Sequence, residues 1–245
     1  VSMVASFLTP FLGSSINVAM PFIGKQFGLS AVALGWVVTA YMLAAAMFLV
    51  PFGRLADLVG RKKIFALGLS VDIAGSVIGA LAPSVFFLIL GRAVQGIGGA
   101  MIFGTGVAIL TSVYPPGERG RALGLNTAAV YTGLSLGPVL GGFLVHTWGW
   151  RSVYLAAAPV AATALALTLT RLKGEWAEAR GEGFDFKGSL IFGSGLVALM
   201  YGFSRLPSVL GFTLTGAGLL ALAGFVLFEL RARMPLLDLR LFGKN

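Results

Sequence analysis

Cysteine is absent from the 245 residues, and histidine occurs once, at His146. Without cysteine no disulfide framework, thiolate metal site or iron–sulfur cluster can form, and one histidine cannot build a histidine cluster. No metal site is expected. Charge is the next shortage: Asp, Glu, Lys and Arg make up 11% of the chain, less than half of the roughly 25% in a soluble globular protein. That is too little polar surface to cover a water-exposed domain of this length. A soluble enzyme, a disordered segment and a secreted scaffold are therefore excluded. Acidic groups are scarcest, nine against eighteen basic ones, giving a net charge of +9. The basic residues stand in short clusters between apolar runs, as they do when they set membrane orientation, so the excess does not imply a nucleic-acid partner.

What the chain has in quantity is apolar sequence: 57% of it is hydrophobic, with 35 glycines. Runs of about 20 apolar residues predict helices that cross a bilayer, and eight are present, near 3–23, 33–52, 64–82, 85–110, 122–145, 151–170, 189–205 and 209–229. Strands of a membrane barrel would be ~10 residues with strict alternation, and no such pattern occurs. The fold class is all-α integral membrane. Fourteen Lys and Arg fall in the loops of one side, three (Lys25, Arg151, Arg205) on the other, and Arg92 lies inside a span. The richer side is cytoplasmic by the positive-inside rule, which puts both termini there. The chain begins inside its first span and stops in a charged exit loop, so both ends are expected to be truncated.

Two stretches align without gaps at an offset of 89 residues, Gly53 to Phe65 with Gly142 to Tyr154. The shared positions are Gly53/Gly142, Leu55/Leu144, Gly60/Gly149, Lys62/Arg151 and Phe65/Tyr154. The copies follow spans two and five. Three spans separate them, so they face opposite sides of the membrane, as in the inverted three-plus-three repeats of secondary transporters.

Four sets of residues could carry chemistry. The loop from Gly53 through Asp57, Gly60, Arg61, Lys62 and Lys63 combines two glycines that let helix ends approach with a carboxylate that can hold Arg61 or a helix N-terminus. Such a clasp must open when helices rock; the plainer alternative is a positive-inside loop. Arg92, about seven residues into the fourth span, costs at least ~2.5 kcal/mol at membrane depth and cannot deprotonate. It must face the interior with Gln95 one turn away, either as a coupling group or as a structural clamp on carbonyls. In the fifth span Gly133, Gly137 and Gly141 form one smooth face, Pro138 removes a backbone donor, and Gly142 closes the motif. Asp72 is the only carboxylate well inside a span, on a face with Gly68, Gly75, Ser76 and Gly79, which suits a proton carrier or a structural hydrogen bond. Asn17, Tyr41, Asn126 and Tyr131 are polar groups at depth that could line a substrate cavity.

Gly53-x-Leu55-Ala56-Asp57-x-x-Gly60-Arg61-Lys62-Lys63 resembles the signature loop of the major facilitator superfamily, with Leu58 where a basic residue is common. Gly91-Arg92-Ala-Val-Gln95-Gly96 resembles that superfamily's fourth-helix motif, whose arginine is associated with proton coupling. The segment from Gly133 through Gly137-Pro138 to Gly141-Gly142 resembles the antiporter motif of its proton-driven exporters. The opening Phe11 to Pro21, Trp36 to Tyr41, and the acidic loop from Glu175 to Lys187 with two spans after it are similar to the fourteen-helix drug/proton antiporter family. The resemblance implies a major facilitator fold: an N-terminal six-helix bundle of inverted three-helix repeats (1–171), a loop (172–188), two additional helices (189–230) and an exit loop (231–245). It further implies that the C-terminal six-helix half is missing, that protons and a small amphipathic substrate are the ligands, and that the proton gradient serves in place of a cofactor. The site would be the inner or plasma membrane. That family's first helix carries an aspartate where Leu12 stands here, which weakens the case for cationic drugs and makes Asp72 a candidate replacement.

Proton-coupled export of small amphipathic compounds by alternating access is the leading expectation. The alternatives are an uptake carrier for a metabolite and a non-transporting membrane sensor or scaffold. An integral-membrane enzyme would need Asp-rich metal motifs, a Ser/His pair or two intramembrane aspartates, which one histidine and one buried aspartate do not supply.

Overall fold

The computed structural model describes residues 1–231 and Leu236. Within them lie eight helices long and apolar enough to cross a membrane: α1 (Ser2–Phe27), α2 (Ala31–Val59), α3 (Arg61–Ala80), α4 (Val85–Val113), α5 (Arg119–Trp148), α6 (Arg151–Arg171), α7 (Phe186–Ser204) and α8 (Val209–Glu229). All eight expected spans are present. Most of the exit loop expected over 231–245 lies outside the described residues. Several helices outrun their apolar cores, because backbone hydrogen bonding continues past the ~20 residues that fill the hydrocarbon. Local chemistry sets the ends. The side chains of Ser30, Asp185 and Ser208 cap α2, α7 and α8, and α1 stops at Gly28 in the left-handed conformation.

The largest correction concerns the segment read as a loop from Gly53 to Lys63. It is helical except for one residue: α2 runs through Asp57 to Val59, and α3 starts at Arg61. Leu55, Ala56 and Leu58 continue the helix without a breaker. Gly60, at φ 128°, makes the whole turn in a conformation that residues with side chains rarely adopt.

Helix packing follows the repeat. Helix α1 lies against α5 as α4 lies against α2, α3 against α4 as α6 against α1, and α3 meets α6 across the pseudo-symmetry axis. Matched residues do matched work. Gly60 and Gly149, both at positive φ, end α2 and α5, while Phe65 and Tyr154 are fully buried. Lys62, at the start of α3, donates from Nζ to the carbonyl of Leu172 just past α6, at 2.6 Å. Arg151, at the start of α6, donates from Nη2 to the carbonyl of Ala82 just past α3, at 2.8 Å. The two bonds are related by the repeat, and each ties down the chain just past the carboxyl-terminal end of the partner helix.

Glycines set the spacing. A Cβ on Gly91 would stand 2.9 Å from the backbone nitrogen of Gly79 and 3.0 Å from the carbonyl of Gly75, and one on Gly98 would meet the carbonyl of Gly68 at 2.7 Å. Helices α3 and α4 therefore touch backbone to backbone. Helices α7 and α8 form a hairpin notched in the same way, with Gly218 against Leu199 and Gly202 against Thr215. Its main contact with the bundle is α2, through Met47 against Gly193 and Trp36 beside Tyr201.

Because the obstruction at Gly91 is backbone that cannot swing aside, Gly91→Ala should destabilise the folded protein by about 1–3 kcal/mol. Gly124, whose added Cβ would meet nothing within 4 Å, serves as the control, and Gly124→Ala should be neutral or slightly stabilising. Thermal unfolding of the two purified variants in one detergent checks both.

Candidate functional site

Arg92 is 2% exposed and Gln95 and Ser76 are fully buried. The Arg92 guanidinium donates from Nε to the carbonyl of Val37 on α2 at 3.1 Å and from Nη1 to Gln95 Oε1 at 2.9 Å. Gln95 Nε2 in turn donates to Ser76 Oγ on α3 at 2.9 Å. The face of the cation covers the Tyr41 ring, with Cζ 4.4 Å from the centroid. One polar chain thus ties three helices together at membrane depth. Asp72, one turn from Ser76, is 2% exposed and its Oδ2 has no hydrogen-bond partner. A Cβ on Gly98 would stand 2.8 Å from the Asp72 backbone nitrogen, so the absence of a side chain there brings Asp72 against α4. Among the described residues no ion pair links Asp72 to Arg92 within 4 Å; neutral acceptors hold the guanidinium.

Thr9, Pro10, Gly13, Ser14, Asn17, Val38, Tyr41, Met42, Arg92, Phe103 and Leu134 wall a cavity of about 260 Å³ between α1, α2, α4 and α5. Of the four expected cavity residues, Asn17 and Tyr41 are on this wall. Asn126 and Tyr131 are not among its lining residues: Asn126 is buried with its Oδ1 unpartnered, and Tyr131 is 62% exposed.

The glycine–proline face of α5 is pressed onto α1. Added Cβ atoms on Gly133, Gly137 and Gly141 would collide with Phe7, with Ser14 and the carbonyl of Phe11, and with Ser15. Ser15 Oγ donates to the carbonyl of Gly137 at 2.9 Å. Helix α5 continues unbroken through Pro138. Gly142 has only an ordinary contact with Val18.

At the α2–α3 junction Asp57 and Arg61 are paired within a wider network of charges. Arg61 pairs with Asp57 (Nη2–Oδ1 2.8 Å), and its Nη1 reaches Glu178 Oε1 at 2.8 Å and Ser112 Oγ at 2.9 Å. Glu178 belongs to the segment 172–185, which lies across the junction as a strap. Arg54 pairs with Glu182 at 2.6 Å, Glu175 Oε1 accepts from the Lys62 backbone at 2.9 Å, the Arg61 N–H donates to the carbonyl of Trp176, and the Ala179 N–H to that of Asp57. Exposed pairs contribute only ~0.2–1 kcal/mol each, so the strap's hold comes from their number and from the backbone bonds. Gly60 leaves no room for a side chain because Glu175 occupies the space where a Cβ would stand. A Cβ added at Gly53 would meet nothing within 4 Å, although its backbone faces Gly104 on α4, and Lys63 is exposed. Sequence reasoning missed the strap's partners Arg54, Glu175, Glu178 and Glu182. The available signal was three carboxylates spaced three and four apart, opposite in charge to the cluster around Arg61.

A bundle of inverted three-helix units, with a charged group buried beside a cavity between them, has the architecture of a membrane transporter. The sequence pattern of the Major Facilitator Superfamily matches residues 2–237, and the chain belongs to that family. It is 36% identical to the multidrug resistance protein Stp of Mycobacterium tuberculosis over 93% of this chain and 43% of that protein. It is 38% identical to the cephamycin export protein CmcT of Amycolatopsis lactamdurans, over 98% of this chain and 51% of that one. The chain thus spans about half the length of these relatives. A bacterial homologue of the human lysosomal transporter Spinster shares its fold, with a TM-score of 0.58 and 23% identity over 93% of this chain and 60% of that one.

If the carboxylates hold the strap, replacing Glu178 and Glu182 together by Gln should loosen it. Trypsin should then cleave after the exposed Arg180 several-fold faster than in the wild type, and raised salt should move the wild type towards the same rate. Time-resolved peptide mapping reads both.

Proposed function

We propose that this chain is the N-terminal portion of a proton-coupled exporter of small amphipathic compounds, in the fourteen-helix branch of the superfamily. The observation that carries the reading is the buried chain Arg92–Gln95–Ser76, which begins on a cavity wall and ends one turn from Asp72. Arg92 keeps its charge whatever happens around it, so it acts by field and position. Asp72 has an unpartnered oxygen and can take up and release a proton. Proton movement at Asp72 changes the charge next to Arg92 and hence the balance between cavity-open states. The direction of transport draws on the printed functions of the relatives, multidrug resistance for one and export for the other.

The α1–α5 glycine face is the surface on which α1 and α5 pivot, and the Asp57–Arg61–Glu178 clasp is the gate that opens at the junction. Residues 1–171 act as the transporter half, 172–188 as the strap loop and 189–230 as an added hairpin. A further six-helix half of the same protein supplies the other wall of the cavity. The excess of basic residues around the junction supports a cytoplasmic location for that end, with the N-terminus on the same side, in the cell membrane. Energy comes from the proton gradient, with no cofactor.

Reconstituted in liposomes with an internal pH dye and challenged with amphipathic compounds of each charge, the wild type should show substrate-evoked proton flux. Asp72→Asn should lose it by about tenfold or more, while Arg92→Lys should insert normally and transport substrate uncoupled from protons. Full coupled flux in both variants would sink this role for the pair.

A further inference from the structure

The wall that this chain gives the cavity is unusual in its charge. Arg92 lines it, and among the described lining residues there is no carboxylate. A guanidinium has five N–H donors. Arg92 uses two, on Val37 and Gln95, which leaves three without an acceptor among the described residues. The Tyr41 ring covers one face of the guanidinium, while its hydroxyl is buried against Gly99 on α4 and closed to the cavity. Asn17, on the same wall and exposed, offers two further amide donors. Ser14, by contrast, is occupied, donating to the carbonyls of Pro10 and Phe11. Met42, Phe103 and Leu134 supply the apolar remainder. A buried cation with no carboxylate in ion-pair contact, and none on the cavity wall, attracts electron-rich groups and repels other cations, more strongly than in water because the site is poorly solvated.

We infer that this half of the cavity is a subsite for an oxygen acceptor, a carboxylate, phenolate or carbonyl carried on an apolar ring system, and that it selects neutral and anionic amphiphiles over lipophilic cations. The inference rests on the transport reading above and names its substrate class. The acceptor oxygen sits against the free Arg92 donors, Asn17 bonds a second polar edge, and the apolar side chains cover the rings. Leu12, fully packed in the core, provides no compensating negative charge for a cationic ligand.

The test uses two xanthene dyes of similar shape and opposite charge, fluorescein (anionic) and rhodamine 6G (cationic), binding to the intact protein in nanodiscs without any ion gradient. The wild type should bind fluorescein about tenfold or more tighter than rhodamine 6G. Asn17→Asp puts a carboxylate at an exposed position on the wall, where folding does not depend on it, and should cut or reverse that preference. Arg92→Gln should weaken fluorescein without strengthening the protein's hold on rhodamine to the same degree; if this variant does not fold, Asn17→Asp still decides. Equal or tighter binding of rhodamine 6G by the wild type, no saturable binding of either dye, or a ratio that Asn17→Asp leaves unchanged overturns the assignment. Failure of the exporter reading is distinguishable, since it shows as absent proton flux in liposomes while dye selectivity in nanodiscs persists.

Discussion

Helices in a bilayer are not pressed together by the hydrophobic effect, because lipid tails are as apolar as leucine, so close packing must come from shape. In this protein the shape is glycine. The α3–α4 contact has backbone from one helix in the notch of the other at Gly75, Gly91 and Gly98, and the α1–α5 contact does the same at Gly133, Gly137 and Gly141. Everything polar at depth depends on that spacing. Gln95 can reach Ser76, and Asp72 can be buried against α4, only because no side chain holds α3 and α4 apart. The 35 glycines would be a liability in a soluble helical protein. In lipid they are what allows hydrogen bonds between helices.

The charges divide into two layers with opposite logic. At the α2–α3 junction Arg61 is matched by two carboxylates, Asp57 and Glu178, and Arg54 by Glu182, so positive charge is neutralised locally. At membrane depth Arg92 is held by a carbonyl, an amide oxygen and an aromatic face, none of which cancels its charge. The first arrangement fastens segments together. The second keeps a field available to whatever enters the cavity.

Much of this was legible in the sequence, for physical reasons. Eight apolar runs could be read because the thickness of the bilayer dictates their length. The repeat could be read because Gly60 and Gly149 serve the same backbone turn, and Lys62 and Arg151 tie down the chain past equivalent helix ends. The face shared by Gly68, Asp72, Gly75, Ser76 and Gly79 could be read from helical spacing alone, and those residues are buried in the structure. The strap could not. Its contacts join residues more than 100 positions apart, such as Arg54 with Glu182, and the regular spacing of its carboxylates does not by itself say which basic helix end they face. The junction was misread because charged residues were taken to end the helix, whereas Asp57 and Arg61 each sit within helical backbone. Asn126 and Tyr131 lie on a helix that does line the cavity, through Leu134, but Asn126 shares the packed face of Gly133 and Gly137, and Tyr131, one turn before Leu134, is exposed outside the cavity; polarity at depth does not by itself give position.

The turn at Gly60 has a mechanical consequence. One residue of chain spans only ~3.5 Å, so α2 and α3 are joined by a pivot with almost no slack. Such a joint lets two rods change their angle but not slide past each other. Any tilt of α2 along the cavity must therefore appear as a lever motion at the end of α3, delivered to the strap that crosses the joint and, through Lys62, to the end of α6.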